Sequence, residues 1–478
     1  MSKPKASVVL SLLLVLASTL SFAQSKADRK AQKAASTRVR FEDHRLKNGL
    51  RVILSEDHHA PLYSIAVTYN VGSRNEVEGR TGFAHLFEHM MFQGSENVGK
   101  GEHMLLVQEN GGGMNGTTNE DRTLYYESLP ANQLDLGLFL EADRMRALAV
   151  TEANLENQRN AVQEERRLGV DNQPYGTSSE AMNGAIFDSF PYKHSVIGSM
   201  ADLNAASVED VKQFFKTYYA PNNAVVSLVG DFDARTAMVK IEKYFGAIPA
   251  EPAPAAVKVA ELKQTAERRI SIQDAFAPLP RITIMYKTVA DNTPDSYALE
   301  TLFTILTTGE SSRLYQTLVK DRQVAVSVGG GQNGFRNVGR CELFVRPRPD
   351  KNLGDVEKVV YEEVDRLKKE PPTDEEMAKV KIMMRFRRAQ QMQSSLFRAF
   401  ELGEYAAFYS DPELINQIEQ KYDAVTKQDL VRVANEYLNE SNRTVITTIP
   451  KPKTAATSAA AIPALPTENA ALVRPIGH

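Results

Sequence analysis

The stretch Thr81-Gly-Phe-Ala-His-Leu-Phe-Glu-His-Met-Met-Phe92 carries two histidines, His85 and His89, four residues apart, with Glu88 three residues after the first. The run is apolar around them and reads as a helix. Positions i and i+4 lie one above the other on a helix face, so the two imidazoles can converge on one ion. Glu88 flanks the same face. Two neutral imidazoles beside a carboxylate suit Zn2+, with the carboxylate placed to take a proton from water at the metal rather than to bind the metal itself. A catalytic zinc site also needs a third protein ligand and an open position. The helix expected over 155–168 offers Glu164 and Glu165, and spacing alone does not choose between them. His44, His58, His59, His103, His194 and His478 stand in no ligand spacing, which assigns them to surface or packing roles.

Around this motif the chain is 478 residues long, more than one ordinary core accommodates, so at least two domains are expected. Apolar and charged fractions of 42% and 24% are those of a soluble globular protein, and a net charge of -3 gives no electrostatic case for nucleic acid or anionic membrane as a partner. At the N-terminus Lys3 and Lys5 precede the apolar run Val8 to Leu20, and Ser21-Phe22-Ala23 then presents small residues of the kind a signal peptidase reads. Residues 1–23 are therefore expected to be a cleaved secretory signal. The run is shorter than the roughly 20 residues a spanning helix needs. No later segment is long and apolar enough to span, so the mature chain is expected to be periplasmic or secreted. The single cysteine, Cys341, cannot form an internal disulfide and sits in the alternating Cys-Glu-Leu-Phe-Val, which suits core packing.

Strands are expected over 51–54 and 63–69, a helix over 208–219 opened by Ser207-Val-Glu-Asp and stopped by Pro221, and a strand over 224–229. The proline- and alanine-rich segment after Ile248 reads as an extended linker. This divides the chain into a metal-bearing domain at 40–247, a linker at 248–267, a second domain at 268–449 and a mobile tail at 450–478. Asp143-Arg144-Met145 and Thr151-Glu152 recur as Asp365-Arg366-Leu367 and Thr373-Asp374 at a constant offset of 222 (365 − 143 and 373 − 151). Both copies sit between an amphipathic helix and a second long helix, so the domains read as duplicates.

With these features the chain resembles the pitrilysin and insulysin superfamily, which includes mitochondrial processing peptidase and exported bacterial relatives, over nearly all of the mature length. The inverted His-x-x-Glu-His motif carries the resemblance. Phe190-Pro-Tyr, Asp202-Leu203, Tyr219-Ala-Pro-Asn and Gly230-Asp231 add to it. The family's third ligand is a glutamate six residues after an arginine, and counting from Arg159 selects Glu165, which lies 76 residues after His89 (165 − 89). The resemblance implies an α+β fold of two homologous domains, each a largely antiparallel sheet covered by helices, facing each other around a peptide chamber. It implies one Zn2+ per chain on His85, His89 and Glu165, with Glu88 as the general base of an endopeptidase. It also implies a substrate-binding edge strand at Gly113, Met114, Asn115, Gly116 and Thr117, to which peptide adds by backbone hydrogen bonds.

The second domain departs from the pattern of active single-chain relatives. Arg387 falls opposite Glu165, and Glu300, Phe303 and Thr304 fall opposite His85, Glu88 and His89. The arginine and tyrosine that relatives use to hold substrate are replaced by Val319 and Val326. The expectation is a heteromer in which this chain brings the metal and a homologous subunit supplies the arginine and tyrosine. The competing reading is a zinc-binding scaffold without catalysis, and Glu88, which a scaffold does not need, separates the two.

Overall fold

The computed structural model describes residues 38–452; the expected signal segment 1–23 and the tail beyond 452 lie outside the described residues. In the first half, strands β1 (Glu42–Arg45), β2 (Arg51–Glu56) and β3 (Leu62–Tyr69) precede helices α1 (Phe83–Met90) and α2 (Glu102–Glu109). A hairpin of β4 (Gly113–Thr118) and β5 (Thr123–Pro130) follows. Helices α3 (Leu134–Arg146), α4 (Glu152–Arg166), α5 (Gly176–Ile186) and α6 (Val208–Tyr218) then lead to β6 (Ala224–Gly230). The second half contributes β7 (Arg268–Asp274), β8 (Arg281–Thr288), α7 (Pro294–Thr307), β9 (Ala325–Gly334) and β10 (Gly339–Pro347). After these come α8 (Leu353–Lys369), α9 (Asp374–Met392), α10 (Ser395–Tyr409), α11 (Lys427–Tyr437) and β11 (Arg443–Pro450).

The first sheet runs β1-β2-β6-β3-β5-β4 and the second β7-β11-β8-β10-β9. With β1 set aside the two orders correspond strand for strand. Each has one parallel pair, β2 with β6 and β7 with β11, among antiparallel neighbours. Local signals repeat as well. Thr151 and Thr373, 222 residues apart, both cap the long helices α4 and α9 by accepting an N–H three residues on. Ser207 and Thr426 open α6 and α11 with capping boxes. The chain is thus an α+β protein of two homologous domains.

Strands β3 and β6 are buried at nearly every residue, not at alternate ones. That follows from cover on both faces. Helix α3 of the same domain lies on one side, whereas α10, from the second domain, lies against β3 and β6 on the other. The exchange is mutual, since α5 of the first domain packs on β7, β8 and β11. At the first of these contacts Ala399, Leu402 and Ala406 join Ile53, Ala66 and Val225 in one apolar cluster. Gly403 permits the close approach, because a Cβ there would stand 2.6 Å from Thr68 Oγ1. The segment between the domains has no regular structure up to Arg268 and is strapped down. Glu261 accepts the N–H of Ser189 at 2.8 Å and the Lys287 ammonium at 2.9 Å. Cys341 is fully buried on β10, and burial holds its thiol pKa well up. Among the described residues no helix is long and apolar enough to cross a membrane.

Candidate metal centre

Helix α1 is fixed before it begins. The buried carboxylate of Glu76 accepts the N–H groups of Gly82 (2.9 Å) and Ala84 (2.8 Å), and Asp202 accepts that of Thr81 (3.0 Å). These are donors a helix start otherwise leaves unpaired. Phe83, Leu86, Phe87 and Met90 then bury the opposite face of the helix, which leaves His85 and His89 turned towards α4. Their rings sit edge to face with centroids 4.8 Å apart. Helix α4 is tied to the neighbouring loop by Arg159, which donates to the carbonyls of Leu203 (3.1 Å) and Ala206 (2.6 Å).

Glu165 faces the histidines. Its Oε1 lies 3.7 Å from His85 Nε2 and its Oε2 lies 3.3 Å from His89 Nε2. One donor atom from each residue falls within 4.8 Å of the others. Tetrahedral zinc with ligand bonds of about 2.0–2.2 Å holds its ligands roughly 3.3–3.6 Å apart, so the donor set fits the ion in type and spacing. Glu164, the alternative that spacing leaves open, pairs with Arg167 at 3.0 Å; both glutamates are exposed, and Glu165 is the one within reach of the histidines. Burial, with the neighbouring His89, pulls the His85 pKa down to about 4 and keeps that ring neutral. For His89 burial acts downward too, but the hydrogen bond and charge of Glu165 outweigh it and the pKa is raised. His89 Nδ1 donates to Gln158 Oε1 at 3.3 Å, so loss of the proton that Nε2 shares with Glu165 would present the Nε2 lone pair to a metal.

Glu88 is buried beside this set. Burial raises its pKa, and a hydrogen bond from Thr118 Oγ1 at 2.5 Å opposes the rise. Strand β4 passes directly over the carboxyl group. A Cβ on Gly116 would stand 3.1 Å from Glu88 Cγ and 3.2 Å from Phe92 Cζ, so a glycine lets the strand approach this closely. Met114, Asn115, Gly116 and Thr117 all lie on β4, as does Gly113, and β4 is the outermost strand of the first sheet. The bond from Asn119 N–H to Arg122 C=O closes the hairpin at 3.0 Å. Antiparallel alternation from there turns the backbone groups of Met114, Gly116 and Thr118 outward. In accord with this, Gly116 N–H is taken by the side chain of its neighbour Asn115, at 2.9 Å.

Two features of this region escape the sequence. Thr118 holds the carboxylate of Glu88, a pairing between a hairpin and a helix with no spacing signature. His103, Glu127 and Glu141 come from α2, β5 and α3 to form a second buried group whose donor atoms also lie within 4.8 Å of one another. Here Arg144 already occupies Glu141 through two hydrogen bonds, and His103 is bonded to Glu127. His103, which its spacing assigns to a surface or packing role, is buried in this polar cluster.

In the second domain Glu300 and Arg387, placed opposite His85 and Glu165, do line one cavity of about 240 Å3. Phe303 is buried in the core and Tyr422 holds the Glu300 carboxylate, and among the described residues no metal-ligating set forms there. Val319 packs on the second core and Val326 is half exposed on β9; neither offers a polar group.

Residues 51–199 match the model of the insulinase family (peptidase family M16), and residues 205–384 match that of the peptidase M16 inactive domain. The chain is 29% identical to zinc protease PqqE of Helicobacter pylori over 419 residues, 86% of this chain and 94% of that one. It is 23% identical to the mitochondrial-processing peptidase subunit beta of Lentinula edodes, over 82% of this chain and 86% of that one. Among solved structures, a protease from Helicobacter pylori superposes with a TM-score of 0.82 at 29% identity, covering 86% of this chain and all of the other. The first half of the periplasmic protease PqqL from Escherichia coli shares the fold, with a TM-score of 0.71 at 19% identity over 86% of this chain and 92% of the other. The chain belongs to peptidase family M16, with an insulinase-type domain followed by a domain of the inactive type.

Proposed function

We propose that the protein is a zinc-dependent endopeptidase in which His85, His89 and Glu165 hold one Zn2+ and Glu88 is the general base. The observation that carries this reading is the convergence of three ligand-type atoms beside a buried carboxyl group, under an open edge strand. The chemistry Zn2+ supplies when bound is Lewis acidity, which lowers the pKa of water to about 7 and polarises a carbonyl. Glu88 removes the proton from the attacking water and returns it to the nitrogen of the departing amine. Burial lifts its pKa towards the working range of such a base. Thr118 fixes which oxygen of Glu88 remains free for this.

Peptide adds to β4 by displacing the Asn115 side chain from Gly116 N–H and pairing with the outward groups of Met114, Gly116 and Thr118. Backbone pairing of this kind tolerates varied side chains, which fits peptides or small unfolded polypeptides as substrates. The chain acts as the metal-bearing subunit of a heteromer, since Val319 and Val326 leave its second domain without the arginine and tyrosine. The signal-like N-terminus places the mature protein in the periplasm or outside the cell.

The same two valines are what favours the alternative of a zinc-binding, non-catalytic subunit. Glu88→Gln decides between them. In the assembled protein the substitution is expected to lower peptide hydrolysis at least about a hundredfold while bound zinc, measured by atomic emission, stays at parent level. Parent-level turnover by the variant would remove Glu88 as base.

A further inference from the structure

The second domain lacks ligands, yet one of its helices reaches the strand over the metal centre. Helix α10 lies on the outer face of the first sheet, where Ser395 Oγ meets Ser64 Oγ at 2.9 Å and Phe400 meets Tyr126 edge to face with centroids 4.8 Å apart. This docking carries Glu404 to the turn between β4 and β5. Arg122 Nε donates to Glu404 Oε1 at 2.5 Å, and Arg122 Nη1 donates to the carbonyl of Thr117 at 3.0 Å. The arginine side chain is 12% exposed and the glutamate 27%, so the pair is largely shielded from water.

We infer that Glu404 is a positioning residue, holding Arg122 against the end of β4 and thereby fixing the edge that receives peptide. The inference rests on the reading of β4 as the substrate strand. A charged donor with a charged acceptor on one side and a backbone carbonyl on the other makes a directional brace. Thr117, the braced residue, directly precedes Thr118, which bonds the Glu88 carboxylate. The brace thus ends one residue from the base. An edge strand paired on one side only is otherwise free to fray, and β4, with its two glycines, has little side-chain packing to prevent it. The ligand-free domain contributes to the site by this route, through Glu404 on a helix packed against the opposite domain's sheet.

The test uses the full zinc-loaded chain carrying Glu88→Gln, so that peptide is bound but not cut. Two readouts are taken: hydrogen exchange of the β4 amides without peptide, and the Kd for fluorescein-labelled casein peptides by anisotropy. Glu404→Ala is expected to speed exchange across residues 113–118 and to weaken peptide binding about tenfold. Exchange in α1 and zinc content should stay unchanged. Glu404→Gln, which keeps the shape of the side chain, should show the same pattern to a smaller degree. Arg122→Ala combined with Glu404→Ala should weaken binding no more than Arg122→Ala alone, because both act through one brace.

Unchanged β4 exchange in both Glu404 variants, or full additivity with Arg122→Ala, would overturn the inference. If the Glu88→Gln chain binds no peptide while the Glu404 variants still loosen β4, the brace exists but the substrate-strand reading fails, and the positioning role fails with it.

Discussion

Four glutamates of the first domain, Glu76, Glu88, Glu127 and Glu141, are buried, and each meets a different set of partners. Glu76 takes backbone donors, Glu88 takes one hydroxyl and leaves an oxygen free, and Glu127 and Glu141 meet His103 and Arg144. Burial pushes both Glu127 and Glu141 up to about 7, from an ordinary value of 4.5, with the Arg144 charge acting against the rise. An acid whose folded pKa is raised holds its extra proton in the folded state. Its contribution is therefore complete below the unfolded pKa near 4.5, and stability declines as pH climbs through about 7. Glu127→Gln removes one of these protons from the balance. The variant's thermal midpoint, followed by scanning calorimetry, is expected to fall less than the parent's between about pH 5 and pH 8. A parallel fall in both proteins would place the titration elsewhere. None of this was readable in the sequence, where His103 and the two glutamates are unremarkable members of three separate segments. His85, Glu88 and His89 were readable because one helix carries all three and its period alone brings them together.

At the scale of elements, the capping signal at Ser207 and the strand expected over 63–69 are local, and the helix and strand formed where they indicate. The partner of an apolar face is not local information. The pattern of α10 says that a face is buried, but the sheet that buries it belongs to the other domain, and only the folded chain reveals this. The start of α1 is a similar case. Its N-cap, Gly82, has no side chain to offer, and the cap comes from Glu76, six residues earlier and beyond a turn. Glu76→Ala strips two helix N–H groups of their buried acceptor, which costs about 1–3 kcal/mol. The expected result is a lower thermal midpoint together with zinc affinity weakened about tenfold, since the helix that carries His85 and His89 loses its anchor. Competition with a chromophoric chelator measures the second effect. Zinc affinity at parent level would show that α1 is held by its apolar face alone.

For the whole molecule, the repeated strand order records a duplication in which one copy kept the metal-type residues and the other did not. The constant offset between Thr151 and Thr373 made the repeat legible, because caps are short motifs that survive divergence of the surrounding helices. The proposed function makes of this a division of labour between two homologous chains. Purified alone, the chain is expected to bind zinc yet cleave peptides slowly. A homologous chain bearing the arginine and tyrosine should raise turnover about a hundredfold, the order of magnitude for one missing transition-state donor. Brisk, partner-independent cleavage by a verified homogeneous preparation would contradict this. Zinc binding between α1 and α4 is tested by an anomalous-difference map from crystals of the zinc-loaded chain, recorded at the zinc edge. One dominant peak is expected within about 2.0–2.2 Å of His85 Nε2, His89 Nε2 and a Glu165 oxygen. A peak confined to another group, such as His103, Glu127 and Glu141, or no peak between α1 and α4, would contradict it.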